Sequence, residues 1–225
     1  MIPMELRAVL FDYGEVLSGP PNPQAHSNLL EIAGLPEAVF EQHYWAIRLD
    51  YDADIYNGRS YWSEVARRAG VEFTPAQIDR LLEQDARMWM DVNPQMLAWA
   101  RALKQAGLKL GILSNMGDAV LQAIEREFSW LGLFDQLTWS YQTGMVKPDP
   151  AIYRYTVERL GVAPGEILFV DNLEKNCAAA EQCGLEAIVY SNVEQLDRDL
   201  RGRGYRLPYP LPNPWSAARG AQVTL

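Results

Sequence analysis

Five short apolar runs punctuate the chain: AVLF at 8–11, LKLGILS at 108–114, QLTWSYQ at 136–142, EILFV at 166–170 and EAIVY at 186–190. They are too short for helices. Four of them run without apolar/polar alternation, the pattern of strands covered on both faces in a parallel sheet; QLTWSYQ carries more polar residues and reads as a weaker fifth strand. Between the runs lie segments of helical period near 93–106, 117–128, 150–161, 174–183 and 193–201. Strand and helix therefore alternate, which predicts an α/β fold: a three-layer, doubly wound (Rossmann-like) core around a parallel sheet.

One region breaks the alternation. From about residue 22 to 91 there is no convincing strand, only helical periodicity near 24–33, 36–50, 59–69 and 75–91, separated by AGLP, DADIYNG and GVEFT with their turn and capping residues. A small all-helical cap over the sheet is expected. The implied division is core at 1–18, cap at 19–92, core again at 93–203, and a proline-rich extension at 204–225. Tyr44, Trp45, Tyr61, Trp62 and Trp89 stand out in the cap; most are expected to fill a bundle core, leaving a minority to face a ligand. The end, YRLPYPLPNPWSAARGAQVTL, is aperiodic and is expected to wrap the surface or stay mobile.

Composition excludes more than it proves. A formal charge of −9 over 225 residues, with no long basic run, argues against a nucleic-acid partner. No stretch is long and apolar enough for a membrane span, and MIPMELRAVLF lacks the flank of a signal peptide, so a cytoplasmic location is expected. Cys177 and Cys183 fall on one predicted helix and read as structural thiols. His26 and His43, the only two histidines, both lie in the cap with no nucleophile elbow, which disfavours a serine or cysteine hydrolase.

The candidate chemistry sits where strands end. In parallel α/β sheets ligands bind beyond the carboxyl ends of the strands. AVLF runs into Asp12, LKLGILS finishes on Ser114 and Asn115, EILFV runs into Asp171 and Asn172, and the loop GMVKPDP carries Lys147. In order and spacing, FDYGEVL, ILSN, VKPDPAIY and FVDNLEKN resemble the motifs of the haloacid dehalogenase-like hydrolase superfamily over roughly residues 6–191, and the helical insert resembles that family's cap.

The resemblance implies an Mg²⁺-dependent hydrolase of small phosphate monoesters, such as sugar phosphates. Asp12 would be the nucleophile that forms an aspartyl-phosphate. Lys147 would neutralise it and the phosphoryl group, and Ser114 and Asn115 would hold the transferring oxygens. Mg²⁺ would take the Asp12 carboxylate, the Gly14 carbonyl and an oxygen of Asp171 or Asn172. Asn176 would orient its neighbours, and Asp149 would cap the helix that Pro150 starts.

Two positions depart from the family pattern. Gly14 stands where the family's general acid usually lies, and Glu15 is the adjacent candidate to replace it. Asn172 stands where a metal-binding Asp is usual. These departures keep two alternatives open: a metal-independent 2-haloacid dehalogenase, with Arg48 or Arg59 of the cap holding the substrate carboxylate, and a non-catalytic phosphate- or metabolite-binding member.

Overall fold

Residues 6–211 are described by the structure, a computed structural model. Four residues, Ala8–Phe11, form β1, and their side chains alternate strictly: Ala8 and Leu10 enter one buried cluster, Val9 and Phe11 the other. The same alternation divides β4 (Ile167–Asp171), and an apolar run without alternation is what burial on both faces produces. With β2 (Lys109–Ser114), β3 (Gln136–Trp139) and β5 (Glu186–Val189) these strands build one five-stranded sheet, order β3-β2-β1-β4-β5, every neighbour parallel. The expected three-layer α/β core is therefore present, and β1 lies at its centre with Asp12 at its carboxyl end.

In chain order the helices are α1 (Pro23–Ala33), α2 (Glu37–Ala46), α3 (Arg48–Asp52), α4 (Gly58–Ala69), α5 (Pro75–Arg87), α6 (Pro94–Gln105), α7 (Asp118–Glu127), α8 (Ser140–Thr143), α9 (Pro150–Leu160), α10 (Glu174–Gln182) and α11 (Val193–Arg203). Their starts follow local chemistry. Thr74 and Gln77 form a reciprocal capping box at α5, Asn57 and Ser60 another at α4, and Asp149 caps α9 by accepting from Ala151 N at 2.8 Å. One face of the sheet packs on Trp99 and Leu103 of α6, Ile124 of α7 and Leu196 of α11; the other packs on Ile152 and Tyr153 of α9 and Ala180 of α10.

Helices α1–α5 carry a hydrophobic cluster of their own, in which Phe40, Tyr44, Tyr61 and Trp62 are almost wholly buried. Each large side chain so buried contributes roughly 1.5–3 kcal/mol. The two chain crossings between this insert and the core are tied side by side: Gly19 N donates to Asp91 O at 2.6 Å, Asn22 N to Met88 O at 2.9 Å and Asn93 N to Leu17 O at 2.8 Å.

One correction falls at those crossings. The expected helix 75–91 stops at Arg87, where Trp89 N and Met90 N donate three residues back, to Ala86 O and Arg87 O, and the chain turns into the crossing, whose Met88 and Asp91 carbonyls accept from the other strand of it. The expected helix 36–50 is in fact two, broken at Ile47, whose φ of −128° and ψ of 15° are not helical. The strand expected at 136–142 ends at Trp139, since Ser140 starts the single turn α8, which closes on Gly144 at φ 67°.

Besides the packing of α5 on α7, the insert meets the core at a tight seat. Tyr51 of α3 lies directly over Gly117, where an added Cβ would come within 2.2 Å of the tyrosine ring. The Tyr51 hydroxyl donates to Asp118 Oδ1 at 2.7 Å, and Gly58 N donates to the same oxygen at 3.0 Å, so the first residue of α7 holds both α3 and α4. At the other end of the chain, Tyr205 and Leu207 are buried and Trp99 Nε1 donates to Pro208 O at 2.7 Å, so the start of the proline-rich segment lies on the core. Residues 212–225 of that segment lie outside the described residues.

Candidate active site

Asp12 continues the sheet by one hydrogen bond, its N donating to Val170 O at 2.9 Å, and then the chain turns. The turn Tyr13–Leu17 is irregular: Glu15 has a φ of 57°, a left-handed conformation that costs an L-residue roughly 1–2 kcal/mol. Three contacts hold it. Glu15 N donates to Ser18 Oγ at 2.9 Å, Ser18 N donates to Tyr13 O at 2.8 Å, and the buried Tyr13 donates its hydroxyl to Trp89 O at 2.7 Å. Gly14 itself has an ordinary φ of −62°, and an added Cβ there would meet only the Trp89 ring, at 3.7 Å. The fold does not require glycine at position 14.

Four separate segments converge at this rim. Lys147 is almost wholly buried, and its Nζ lies 2.9 Å from Asp12 Oδ1 and 2.6 Å from Asp171 Oδ2. Backbone amides aim the two carboxylates: Tyr13 N donates to Asp12 Oδ1 at 2.7 Å and Leu173 N to Asp171 Oδ1 at 2.8 Å. Asn176 donates its Nδ2 to both Asp171 oxygens at 3.0 Å, a turn of helix away as its spacing suggested. Asn115 clasps the lysine from the side, donating to Lys147 O at 3.0 Å and accepting from Lys147 N at 2.8 Å. Its amide thus orients the Lys147 backbone as well as lining the cavity. Ser114, buried at the end of β2, stands with its hydroxyl beside Asp12.

Burial raises the pKa of the Asp12 carboxyl above the usual carboxylate range, to about 6, and Asp171 adds to this, while the Lys147 ammonium pulls it back. Burial alone would lower Lys147, but Asp12 and Asp171 on either side hold it above the ordinary lysine range, so it is a cation at neutral pH. Two carboxylates around one ammonium leave the cluster with one net negative charge.

Above the rim is a cavity of about 320 Å³, at the small end of ligand sites. Its floor includes Asp12, Gly14, Ser114, Asn115, Lys147 and Asn172, and its roof is Trp45, Arg48 and Asp52 from the insert, with Trp89 at the crossing. Of the prominent aromatics, Tyr44, Tyr61 and Trp62 belong to the bundle core, whereas Trp45 and Trp89 face the cavity. Asp171 is fully buried behind Lys147 with both oxygens hydrogen-bonded and is not part of the lining.

The roof holds Arg48, named from the sequence only as a holder for a substrate carboxylate, and Asp52, which sequence reading missed. Arg48 is buried: Nε donates to Asp52 Oδ1 at 3.2 Å, and Nη1 donates to Asp85 Oδ1 at 3.1 Å and to the Tyr44 hydroxyl at 2.5 Å. Rings of Tyr44, Tyr51 and Tyr61 surround the guanidinium at 5.2–5.9 Å. The four-residue spacing of Arg48 and Asp52 was visible, but the break at Ile47 that turns this pair inward was not. Arg59 lies on the exposed surface, paired with Asp79.

For a metal the rim offers hard oxygens: the Asp12 carboxylate, the Gly14 carbonyl and the side chain of Asn172, which makes no hydrogen bond among the described residues. Asn176 Oδ1 is buried with no partner among the described residues. No group of three or more His, Cys, Asp or Glu side chains gathers there among the described residues. Mg²⁺ does not need one, since it keeps several waters and uses one or two carboxylates. The donor set and the net negative charge fit such an ion. Among the described residues, no helix is long and apolar enough to cross a membrane.

Rat bifunctional epoxide hydrolase 2 is 33% identical over 133 residues, 56% of this chain but 24% of its own, so the chain spans about a quarter of that relative. Phosphatase MT3486 of Mycobacterium tuberculosis (strain CDC 1551 / Oshkosh) is 26% identical over 211 residues, which cover 89% of this chain and 96% of that one. Relatives also include (S)-2-haloacid dehalogenases. Among solved structures, a HAD family enzyme of Bacteroides thetaiotaomicron in a magnesium complex shares the fold, with a TM-score of 0.73 at 21% identity over 87% of this chain and 98% of that chain. The family model for haloacid dehalogenase-like hydrolases matches residues 6–184, which takes in every motif at the rim, and the chain belongs to that family.

Proposed function

We propose that the protein is an Mg²⁺-dependent phosphatase of small organic phosphate monoesters, working through an aspartyl-phosphate on Asp12, with the helical insert as its cap. The observation that carries this is the Lys147 ammonium fixed between Asp12 and Asp171 at the floor of a small cavity. A carboxylate approaching a phosphate dianion is repelled by about 4 kcal/mol per pair of unit charges at about 4 Å and an effective dielectric near 20. Lys147 offsets part of that.

Asp12 Oδ1 is held by Tyr13 N and Lys147, which leaves the other oxygen for attack in line with the departing group. Ser114 and Lys147 hold the transferring oxygens, and water then cleaves the acyl-phosphate. Asp12, the Gly14 carbonyl and Asn172 would hold the Mg²⁺, which when bound supplies the remaining positive charge at the phosphoryl oxygens. Similarity of nearly full length to a phosphatase, and of fold to an enzyme crystallised with magnesium, supports the reading.

The dehalogenase alternative needs a cap cation free to hold a substrate carboxylate. Arg48 is in the right place but already faces Asp52 and Asp85, so the roof is not positive. The test is a panel of sugar phosphates, nucleotides, nitrophenyl phosphate and 2-haloacids, with Mg²⁺ and with chelator. Metal-dependent phosphate release, abolished in Asp12→Asn, is expected. Halide release that survives chelation would replace this reading, and saturable binding of phosphate esters without turnover would make the protein a binding member of the family.

A further inference from the structure

Gly14 leaves the site without the carboxyl that would hand a proton to the departing alcohol, yet a second carboxyl lines the same cavity. Asp52, at the end of α3, is almost wholly buried in the roof. Its Oδ1 accepts from Arg48 Nε, and its Oδ2 has no hydrogen-bond partner among the described residues. Resting on the phosphatase reading, we propose that Asp52 is the general acid and base of the reaction, supplied by the cap in place of the residue missing at position 14.

The charges around Asp52 suit that task. Arg48 on its own helix favours the carboxylate, but its guanidinium is shared with Asp85 of α5. Tyr44 of α2 and Tyr61 of α4 stay neutral beside it, since burial pushes both hydroxyls up. Asp118 of α7 and Tyr141 of α8 lie beyond Tyr51 and Asp54, and Lys147 acts from the floor. Burial dominates and raises the Asp52 carboxyl to about 6, where it can both give and take a proton near neutrality. Glu15 is exposed at the cavity rim, with no guanidinium and no tyrosine wall to fix it.

In the first half-reaction the bond from Asp12 to phosphorus forms as the bond from phosphorus to the leaving oxygen breaks. That oxygen takes the Asp52 proton and departs as an alcohol. In the second, the Asp52 carboxylate accepts a proton from the water whose oxygen attacks phosphorus. Inorganic phosphate is released, and Asp12 and protonated Asp52 are restored.

The test uses substituted phenyl phosphates, from dinitrophenyl to methoxyphenyl, with Mg²⁺. A leaving group that is protonated as it departs makes the rate insensitive to its basicity. Wild type should therefore show a shallow dependence of kcat/KM on leaving-group pKa. Asp52→Asn should lose about 100-fold or more on methoxyphenyl phosphate and little on dinitrophenyl phosphate, and Asp52→Glu should recover part of the difference. Glu15→Gln should keep the wild-type slope.

An equal loss on all substrates in Asp52→Asn, or a steep slope in Glu15→Gln, overturns the assignment and leaves the phosphatase reading standing. No turnover of any ester by wild type overturns both. Should Asp52→Asn not fold, wild type still decides: kcat/KM for methoxyphenyl phosphate should fall as pH rises through about 6, where the acid loses its proton. That for dinitrophenyl phosphate should not, and coincident profiles overturn the assignment.

Discussion

Floor and roof of the cavity each bury one cation between two carboxylates, and they do it by different means. On the floor, a compact ammonium meets Asp12 and Asp171, which are aimed by backbone amides at the ends of adjacent strands. In the roof, a planar guanidinium meets Asp52 and Asp85 from two helices and is boxed by tyrosine rings and a hydroxyl. The floor is fixed by the register of the sheet, so its geometry survives side-chain substitution elsewhere. The roof is fixed by side chains alone, through packing and the hydrogen bonds of Arg48. A buried ion pair adds little stability of itself, but removing one partner strands the other.

The comparison can be broken from either side. Lys147→Met should cost most: it leaves two buried carboxylates facing each other, with an expected stability loss of about 3–5 kcal/mol by urea unfolding. It should also lose roughly 10²–10³ in kcat, because the charge against the phosphoryl group goes with it. Arg48→Met strands Asp52 and Asp85 and should cost about 3 kcal/mol. Its loss of kcat on dinitrophenyl phosphate should stay far below that of Lys147→Met; an equal loss would mean that the roof does the work assigned to the floor. Gly117→Ala should cost least, about 1–3 kcal/mol, as the new methyl displaces the Tyr51 ring. Its signature is easier proteolysis of the helical insert, with the sheet unaffected.

The floor was legible in the sequence because all of its parts but Lys147 sit at the ends of apolar runs. Parallel strands deliver such ends to one edge whatever the loops between them do, so Asp12, Ser114, Asn115 and Asn172 could be placed from pattern alone, and Lys147 from the motif around it. Asp171 was placed at the right strand end, but its isolation behind Lys147 was not legible, since pattern gives a residue's strand and not its depth. The roof was illegible for a related reason. Arg48 and Asp52 look like an ordinary surface pair four apart on a helix, and only the break at Ile47, with Asp85 arriving from a helix more than thirty residues later, turns them inward.

The Tyr51 seat over Gly117 bears on any attempt to exchange caps among relatives. The ring lies against bare backbone at Gly117, and its hydroxyl and the Gly58 amide share one aspartate oxygen on the core. A transplanted helical module without a matching aromatic and amide would arrive with a hole at the joint and would leave Asp118 Oδ1 with only the Ala119 amide of its own helix. Chimera designers should move Tyr51, Gly58, Gly117 and Asp118 as one cassette, even though Tyr51 and Asp118 are 67 positions apart in the chain.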